Sequence, residues 1–145
     1  MRIINTAGYG NEPPTKFQQK LADAEVDAVF DVRRKGSHAR IIQYNPGERM
    51  CKTLWRDSLF AYRLMPRLGN YAASLSQYSL DGKEDIIEAI AKWMIHFNIY
   101  DPCFLCCELH AYVDGEVNCH RVYVAEAVAK KLREMTGEEW EVRHL

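Results

Sequence analysis

The sequence predicts an α/β protein: a single three-layer α/β/α domain around a mostly parallel, five-stranded, Rossmann-like sheet. Short apolar runs alternate with amphipathic helical segments along the chain, which is typical of β-α-β units. The apolar runs are continuous, as expected of strands that are covered on both faces. The 145 residues are 48% hydrophobic and 27% charged, and they contain no repeat or linker. We therefore expect one domain over residues 1–145, long enough to bury a full core.

Five segments are predicted to be strands. Residues 28–32 and 103–107 are apolar runs too short for a helix, so they are the best buried, central strands. Residues 2–7 and 59–65 are further short strands, and residues 140–145 alternate enough to close the sheet.

Two of the four predicted helices have clear boundaries or a clear apolar face. Residues 121–136 form one of them, and Gly137 is a natural residue to follow its last turn. Residues 83–98 form the other, because their apolar side chains recur at helical spacing. The members of that stripe are Ile86, Ile87, Ile90, Trp93, Met94 and Phe97.

The other two helices are less sharply defined. Thr15 is the expected N-cap of a helix over residues 16–24. The fourth helix opens at residues 46–48 and runs to about residue 57. Between the second strand and this helix, residues 35–45 are the least regular part of the chain and predict a long loop. The residues of the fourth helix expected to face inward are Met50, Cys51 and Leu54.

Polar residues follow three of the predicted strands, where the strands end. Ligands of parallel α/β sheets bind outside the carboxyl ends of the strands, where helix N-termini point. If the strands are parallel, these polar clusters converge on one edge. The clusters are Gly8, Tyr9 and Gly10; Asp31, Arg33 and Arg34; and Glu108 with Cys119, His120 and Arg121.

The triplet formed by Cys119, His120 and Arg121 is the part of the chain that most strongly indicates chemistry. Cys119 is expected at or just before a helix N-terminus, where free N–H groups and the helix dipole stabilise a thiolate. His120 can donate or accept a proton near neutral pH. Arg121, with Arg33 and Arg34, can clamp a phosphate or carboxylate. The structural alternative is that Cys119 only packs the helix start while its two neighbours face water.

A metal site at the same place is an alternative. Cysteines on neighbouring positions of a strand, such as Cys106 and Cys107, point to opposite faces. The C-x-x-C spacing also falls inside an apolar run and not in a turn. The predicted site therefore contains no metal, although a set that uses Cys106 or Glu108 with Cys119 and His120 stays open.

The two glycines of the first cluster do not form a dinucleotide-binding fingerprint. Gly8 and Gly10 lack the third glycine at the required spacing, and two prolines interrupt the turn into the helix. The glycines allow the backbone to approach a ligand closely, and Tyr9 can stack on a planar one. A tight strand-to-helix turn explains them equally well.

Charge and cysteine usage limit the partners and the compartment. The formal net charge is −1, which implies no bulk attraction to nucleic acid or anionic lipid. The basic residues 33–35 are by default a solvated loop, with Asp31 and Arg33 paired at the strand end. The five cysteines suit reduced thiols, and there is no signal-peptide core or run near the ~20 residues of a membrane span. The predicted compartment is the cytoplasm.

Five short motifs occur in order along nearly the whole chain. They are T-A-G-Y-G at 6–10, D-V-R-R at 31–34, Tyr62 followed by P-R-L-G at 66–69, L-C-C-E at 105–108 and C-H-R at 119–121. In this combination the chain resembles the DUF488 family of small α/β proteins. The resemblance implies a compact three-layer fold with these motifs around one pocket, but it implies no reaction. The loop over 109–118 is longer than the usual link, which leaves the approach of Glu108 to Cys119 open.

The leading hypothesis is an enzyme, or enzyme-like site, that acts on an anionic or nucleotide-like substrate. Cys119 is then the nucleophile or redox-active thiol, His120 an acid or base, and Glu108 or Asp31 a base or an orienting group. The substrate-binding residues are Gly8, Tyr9, Gly10, Asp31, Arg33, Arg34 and Arg121. The alternatives are a non-catalytic module that binds a nucleotide, nucleic acid or protein, and a small Cys/His metal site. The substrate, cofactor and oligomeric state are not specified by the sequence.

Overall fold

The computed structural model describes all residues, Met1–Leu145, and confirms the predicted fold class. Five strands form one sheet in the order β3-β2-β4-β1-β7, and every neighbouring pair in it is parallel. Two short strands form a separate antiparallel hairpin. The strands are β1 (Arg2–Gly8), β2 (Ala28–Asp31), β3 (Ala61–Leu64), β4 (Pro102–Cys106), β5 (Tyr112–Val113), β6 (Glu116–Val117) and β7 (Trp140–His144).

Four α-helices connect the strands of the sheet. They are α1 (Pro14–Asp23), α2 (Arg49–Arg56), α3 (Glu84–His96) and α4 (Arg121–Thr136). The bounds of α4 are those predicted, and Gly137 follows it with a left-handed φ of 70°. No helix of the protein combines the length and the apolar character that crossing a membrane requires.

The start of α1 differs from the prediction. Thr15 is not the N-cap, because the helix already begins at Pro14 and no side chain caps it. Proline suits the first position of a helix, since its fixed φ is helical and its missing N–H has no partner there. The capping preference of threonine was therefore outweighed by the residue before it.

Two predicted core residues of the helices lie at the surface. Met50 is 45% exposed, whereas Cys51 and Trp55, one turn apart on α2, are buried. Of the three residues of α2 predicted to face inward, Cys51 is therefore confirmed, Leu54 packs partly buried against the same core as Cys51, and the prediction for Met50 is wrong. Phe97 is 66% exposed because α3 ends at His96, so that Phe97 leaves the helical stripe.

The predicted polar loop after β4 contains the β5–β6 hairpin. Its turn is formed by Asp114 and Gly115, which both have positive φ values, 51° and 79°. An Asp-Gly pair with two positive φ angles is the preferred two-residue hairpin turn. This pair was the local signal for the hairpin in the sequence.

The sheet separates two hydrophobic cores. One core joins the sheet to α1 and α2 through Phe17, Leu21 and Trp55. The other joins it to α3 and α4. Side chains of β4 alternate between the two cores, so that Cys106, at the end of the strand, lies on the side of α4.

The connections that leave the strands diverge at the middle of the sheet. Those after β1 and β2 lead to the helices on one face, and those after β3 and β4 lead to the helices on the other. Because β4 lies between β2 and β1, neighbouring strands send their chains to opposite faces. A crevice opens at such a switch point, outside the carboxyl ends of the strands.

His144 on the edge strand β7 predicts a pH dependence of stability. Burial lowers its pKa below 6.5, and the charge of Arg121 acts in the same direction, against a smaller effect of Glu126. Above pH 6.5 the side chain is neutral in both the folded and unfolded states. As the pH falls below this value, the unfolded state binds the proton first, so the free energy of unfolding decreases until the lower folded pKa is passed.

Urea unfolding between pH 7.5 and 5 measures this effect. The variant His144→Gln should show a smaller loss of stability on acidification than the native protein. The exposed His96, changed to Gln, is the control and should leave the loss as large as before. An unchanged loss in His144→Gln would contradict the assignment.

Candidate functional site

A cavity of about 280 Å³ lies at the switch point, at the carboxyl ends of β1, β2 and β4. All three predicted catalytic residues, Glu108, Cys119 and His120, line it. A larger cavity of about 450 Å³ beside β3 and α3 has a mostly apolar lining without cysteine or histidine. The smaller cavity is lined by Tyr9, Arg33, Arg34, Ser37, His38, Asn70, Leu75, Cys106, Cys107, Glu108, Asn118, Cys119 and His120.

Arg33 is buried and its hydrogen-bond donors are all used inside the protein. Its guanidinium donates to both carboxylate oxygens of Asp31 at 2.8 and 2.6 Å, and to the hydroxyl of Tyr9 at 3.0 Å. It also donates to the carbonyl of Tyr44 and lies 4.0 Å from the sulfur of Cys51. The predicted ion pair of Asp31 and Arg33 is therefore present. The prediction that Arg33 lies in a solvated loop is wrong.

The hydrogen bonds of Arg33 leave no donor for a ligand. Burial opposes its charge, yet the hydrogen bonds and charge of Asp31 outweigh that effect and raise its pKa. Asp31 also accepts a hydrogen bond from the hydroxyl of Tyr62 and has no exposed surface. The pair fixes the end of β2 and is not available to bind an anion.

Arg121 is fully buried and ties the chain after β4 to β1. Its Nε donates to the hydroxyl of Thr6 at 3.2 Å, and its Nη1 donates to the carbonyl of Glu108 at 2.5 Å. Gly8 is needed for this approach, because a Cβ there would lie 1.6 Å from the same carbonyl oxygen. Neither Gly8 nor Arg121 is part of the cavity lining, so their part in the site is to hold its wall.

Tyr9 forms one wall of the cavity with its ring packed inward. The ring stacks on Tyr44 at a centroid distance of 4.1 Å. Burial raises the pKa of Tyr9 to about 12, against the opposing charge of Arg33, so the hydroxyl stays protonated at neutral pH. Gly10 does not line the cavity, and its N–H donates to the carbonyl of Cys107 at 2.9 Å.

Three cysteines come together where β4 meets the start of α4. The sulfurs of Cys106 and Cys107 are 3.9 Å apart, although neighbouring strand residues were expected to face opposite ways. The expectation was wrong because β4 ends at Cys106, and the alternation of side chains stops there. The sulfurs of Cys106 and Cys119 and a ring nitrogen of His120 all lie within 4.8 Å of one another.

The thiols of this cluster have unequal acidities. A hydrogen bond from the Cys106 thiol lowers the pKa of Cys119, and burial opposes it; the charge and backbone N–H of Arg121 lower it further. The same donor lowers the pKa of Cys107, again against burial. The single hydrogen of the Cys106 thiol is attracted to the sulfurs of Cys107 and Cys119, and this, together with burial, raises the pKa of Cys106 well above 9.0. As the pH rises, Cys106 is therefore the last of these three thiols to lose its proton.

The orientation of His120 is set by the backbone of the neighbouring strand. Its Nε2 lies 2.7 Å from the carbonyl oxygen of Val32, which can only accept, so Nε2 carries the hydrogen. Nδ1 faces the sulfur of Cys106 at 3.7 Å. The ring is buried beneath Tyr78, at a centroid distance of 4.9 Å. His120 therefore directs Nδ1 at the thiols.

Arg34 is the cation that the cavity leaves exposed. It follows Arg33 in the chain, and its guanidinium makes no hydrogen bond or ion pair, unlike those of Arg33 and Arg121. Gly69 allows the chain after β3 to approach the backbone of Arg34 closely, since a Cβ there would lie 2.6 Å from the Arg34 nitrogen. Ser37 and His38 line the cavity beside it.

Sequence reasoning missed several residues of the cavity. Ser37 and His38 belong to the loop that follows β2, and extending the rule of strand ends by a few residues would have included them. Asn70 and Leu75 come from the chain after β3, and nothing in their sequence indicates this position. Cys106 was considered only as a metal ligand.

Comparisons with models of protein families, with curated proteins and with solved structures found no match to this chain. The resemblance to the DUF488 family stays a prediction. The function must therefore be inferred from the geometry of the cavity.

The contrast between Arg33 and Arg34 predicts opposite effects of the same substitution. Arg33→Met leaves the buried carboxylate of Asp31 without its partner, so we expect a loss of about 3–5 kcal/mol in the free energy of unfolding. Arg34→Met removes an exposed side chain without a partner and should change it by no more than about 0.5 kcal/mol. Urea unfolding of both variants measures the difference, and equal stabilities would show that the buried network is not what stabilises this edge.

Proposed function

We propose that the cavity is an active site for an anionic, nucleotide-like small molecule, with the thiolate of Cys119 at its centre. The observation that carries the proposal is the position of all three candidate catalytic residues around one cavity, beside the exposed cation Arg34. The cavity lies at the switch point of a parallel sheet, where α/β proteins bind their ligands. The resemblance to the DUF488 family supports the same grouping of motifs.

Arg34, with His38, is the proposed anion-binding group. A guanidinium with a neighbouring imidazole suits a phosphate or carboxylate, because charge-assisted hydrogen bonds are the strong ones. The hydroxyl of Ser37 already donates to the carbonyl of Arg34 at 2.8 Å, so it supports the loop and does not donate to the anion. Of the three arginines expected to clamp an anion, only Arg34 is retained here, because Arg33 and Arg121 are buried and hydrogen-bonded within the protein. The volume of about 280 Å³ is near the lower end of the range for small-molecule sites and favours a small ligand.

Glu108 is the proposed group for proton transfer. Both ring nitrogens of His120 already face partners, Val32 and Cys106, so the histidine has no nitrogen directed at a substrate. The side chain of Glu108 is exposed at the rim of the same cavity. Arg121 donates to the backbone carbonyl of Glu108, which fixes the point on the backbone from which the carboxylate side chain extends.

Binding of adenosine monophosphate and of inorganic phosphate, measured by calorimetry at low and moderate salt, tests the proposal. A hydrogen bond to a charged group contributes about 1.5–3 kcal/mol, so Arg34→Ala should weaken binding roughly 10- to 100-fold. The native affinity should also fall as salt is added. Arg40→Ala is the matched control, since Arg40 is an exposed arginine of the same loop outside the cavity.

Two results would contradict the proposed anion site. One is equal affinity of the native protein and Arg34→Ala, and the other is an equal loss in Arg34→Ala and Arg40→Ala. Binding that depends on Arg34 but leaves both probes unconverted in the presence of the native protein would favour the non-catalytic binding module over the enzyme.

A further inference from the structure

We propose that Cys106, Cys119 and His120 bind one zinc ion, with a fourth coordination position open to the cavity. Two thiolates and an imidazole are a ligand set that zinc prefers, and three protein ligands with one open position are typical of catalytic zinc sites. The inference deepens the proposed function and rests on it in one respect: the open position faces the space assigned to the substrate.

The distances between the ligand atoms fit one ion. In a tetrahedral zinc site, bonds of about 2.3 Å to sulfur and 2.0–2.1 Å to nitrogen place the ligand atoms roughly 3.5–3.8 Å apart. The Cys106 sulfur and His120 Nδ1 are 3.7 Å apart, and all three ligand atoms lie within 4.8 Å of one another. Small side-chain rotations therefore suffice to complete the site.

The hydrogen bond of His120 to Val32 provides an independent argument. Histidines that bind metals usually donate their second ring N–H to a carbonyl or carboxylate, which fixes the tautomer and the ring. Here Nε2 donates to the backbone carbonyl at 2.7 Å, so that Nδ1 presents its lone pair towards the sulfurs. The ring is also held by Tyr78. Any buried histidine needs an acceptor for its N–H, so the feature that indicates a metal ligand is the Nδ1 lone pair that faces the sulfur of Cys106.

The three ligands are carried by rigid parts of the fold. Cys106 ends β4, the central strand, while Cys119 and His120 directly precede α4. All three side chains are at most 5% exposed, so the ion would be held in a site of low dielectric. Burial of two thiolates costs free energy, and a divalent cation offsets it.

Cys107 is not one of the proposed ligands. Its sulfur is near that of Cys106 but does not belong to the group whose ligand atoms all lie within 4.8 Å. The residue is exposed and lines the cavity. It stands beside the open position, where a zinc-bound water or a substrate oxygen would be activated. With zinc bound, the thiolate of Cys119 is a ligand and not the attacking group.

The test is the zinc content of the untagged, full-length protein, purified under reducing conditions without chelator and measured by mass spectrometry of the metal. We expect about one equivalent of zinc. Reduced apoprotein titrated with Co²⁺ should develop thiolate-to-cobalt charge-transfer bands and the intense visible bands of tetrahedral coordination. Each of Cys106→Ser, Cys119→Ser and His120→Gln should weaken metal binding by more than the roughly 10- to 100-fold that loss of a supporting hydrogen bond causes.

The neighbouring Cys107→Ser is the matched control and should retain the zinc and the cobalt spectrum. Circular dichroism separates loss of metal from loss of fold in every variant. Less than a tenth of an equivalent of zinc together with no cobalt spectrum would overturn the proposal. Loss of metal in Cys107→Ser would show that Cys107 is a ligand, which would overturn the proposed open coordination position.

The outcome is distinguishable from failure of the proposed function. If zinc is absent but phosphate binding still depends on Arg34, the metal site fails and the anion site stands. If zinc is bound but Arg34→Ala binds phosphate as the native protein does, the metal site stands and the assigned substrate class fails.

Discussion

In a parallel sheet the loops that follow the strands all begin at the same edge. Each loop turns to the face of the sheet on which the next helix lies. Here β4 is inserted between β2 and β1, and its chain turns to the face opposite to theirs. The edge must open at that place, because neighbouring loops separate. The cavity, the thiol cluster and the start of α4 all follow from this insertion.

Around the opening, two arginines are buried and support the wall of the cavity, and a third is exposed. Arg33 and Arg121 are buried and donate to groups at the ends of β1, β2 and β4 and to the carbonyl of Tyr44 in the segment after β2. Buried guanidinium groups suit this task, since each offers five donors in a fixed plane and remains charged. Of these three arginines, only Arg34 is exposed and free to bind a ligand. The wall of the cavity is therefore organised before anything binds, which reduces the cost of ordering on binding.

The fold and part of the candidate site could be predicted from local patterns. The apolar runs of β2 and β4 and the bounds of α4 require only short-range information, and polar residues at strand ends located the cavity. Burial of Arg33 and Arg121 could not be predicted, because, apart from Asp31, their partners come from other segments of the chain, such as those of Tyr9, Tyr44 and Thr6. The meeting of Cys106 and Cys107 depended on the residue at which β4 ends, and sequence patterns define such boundaries poorly.

The hairpin of β5 and β6 separates the two halves of the thiol cluster along the chain, but the site does not depend on its length. Arg121 binds the carbonyls of Glu108 and Leu109 at the start of this excursion, and Asn118 binds that of His110 at its end. Both ends are thus anchored, while the turn at Asp114 and Gly115 is exposed. This turn is a suitable place to insert a reporter or a new loop without altering the groups that line the cavity.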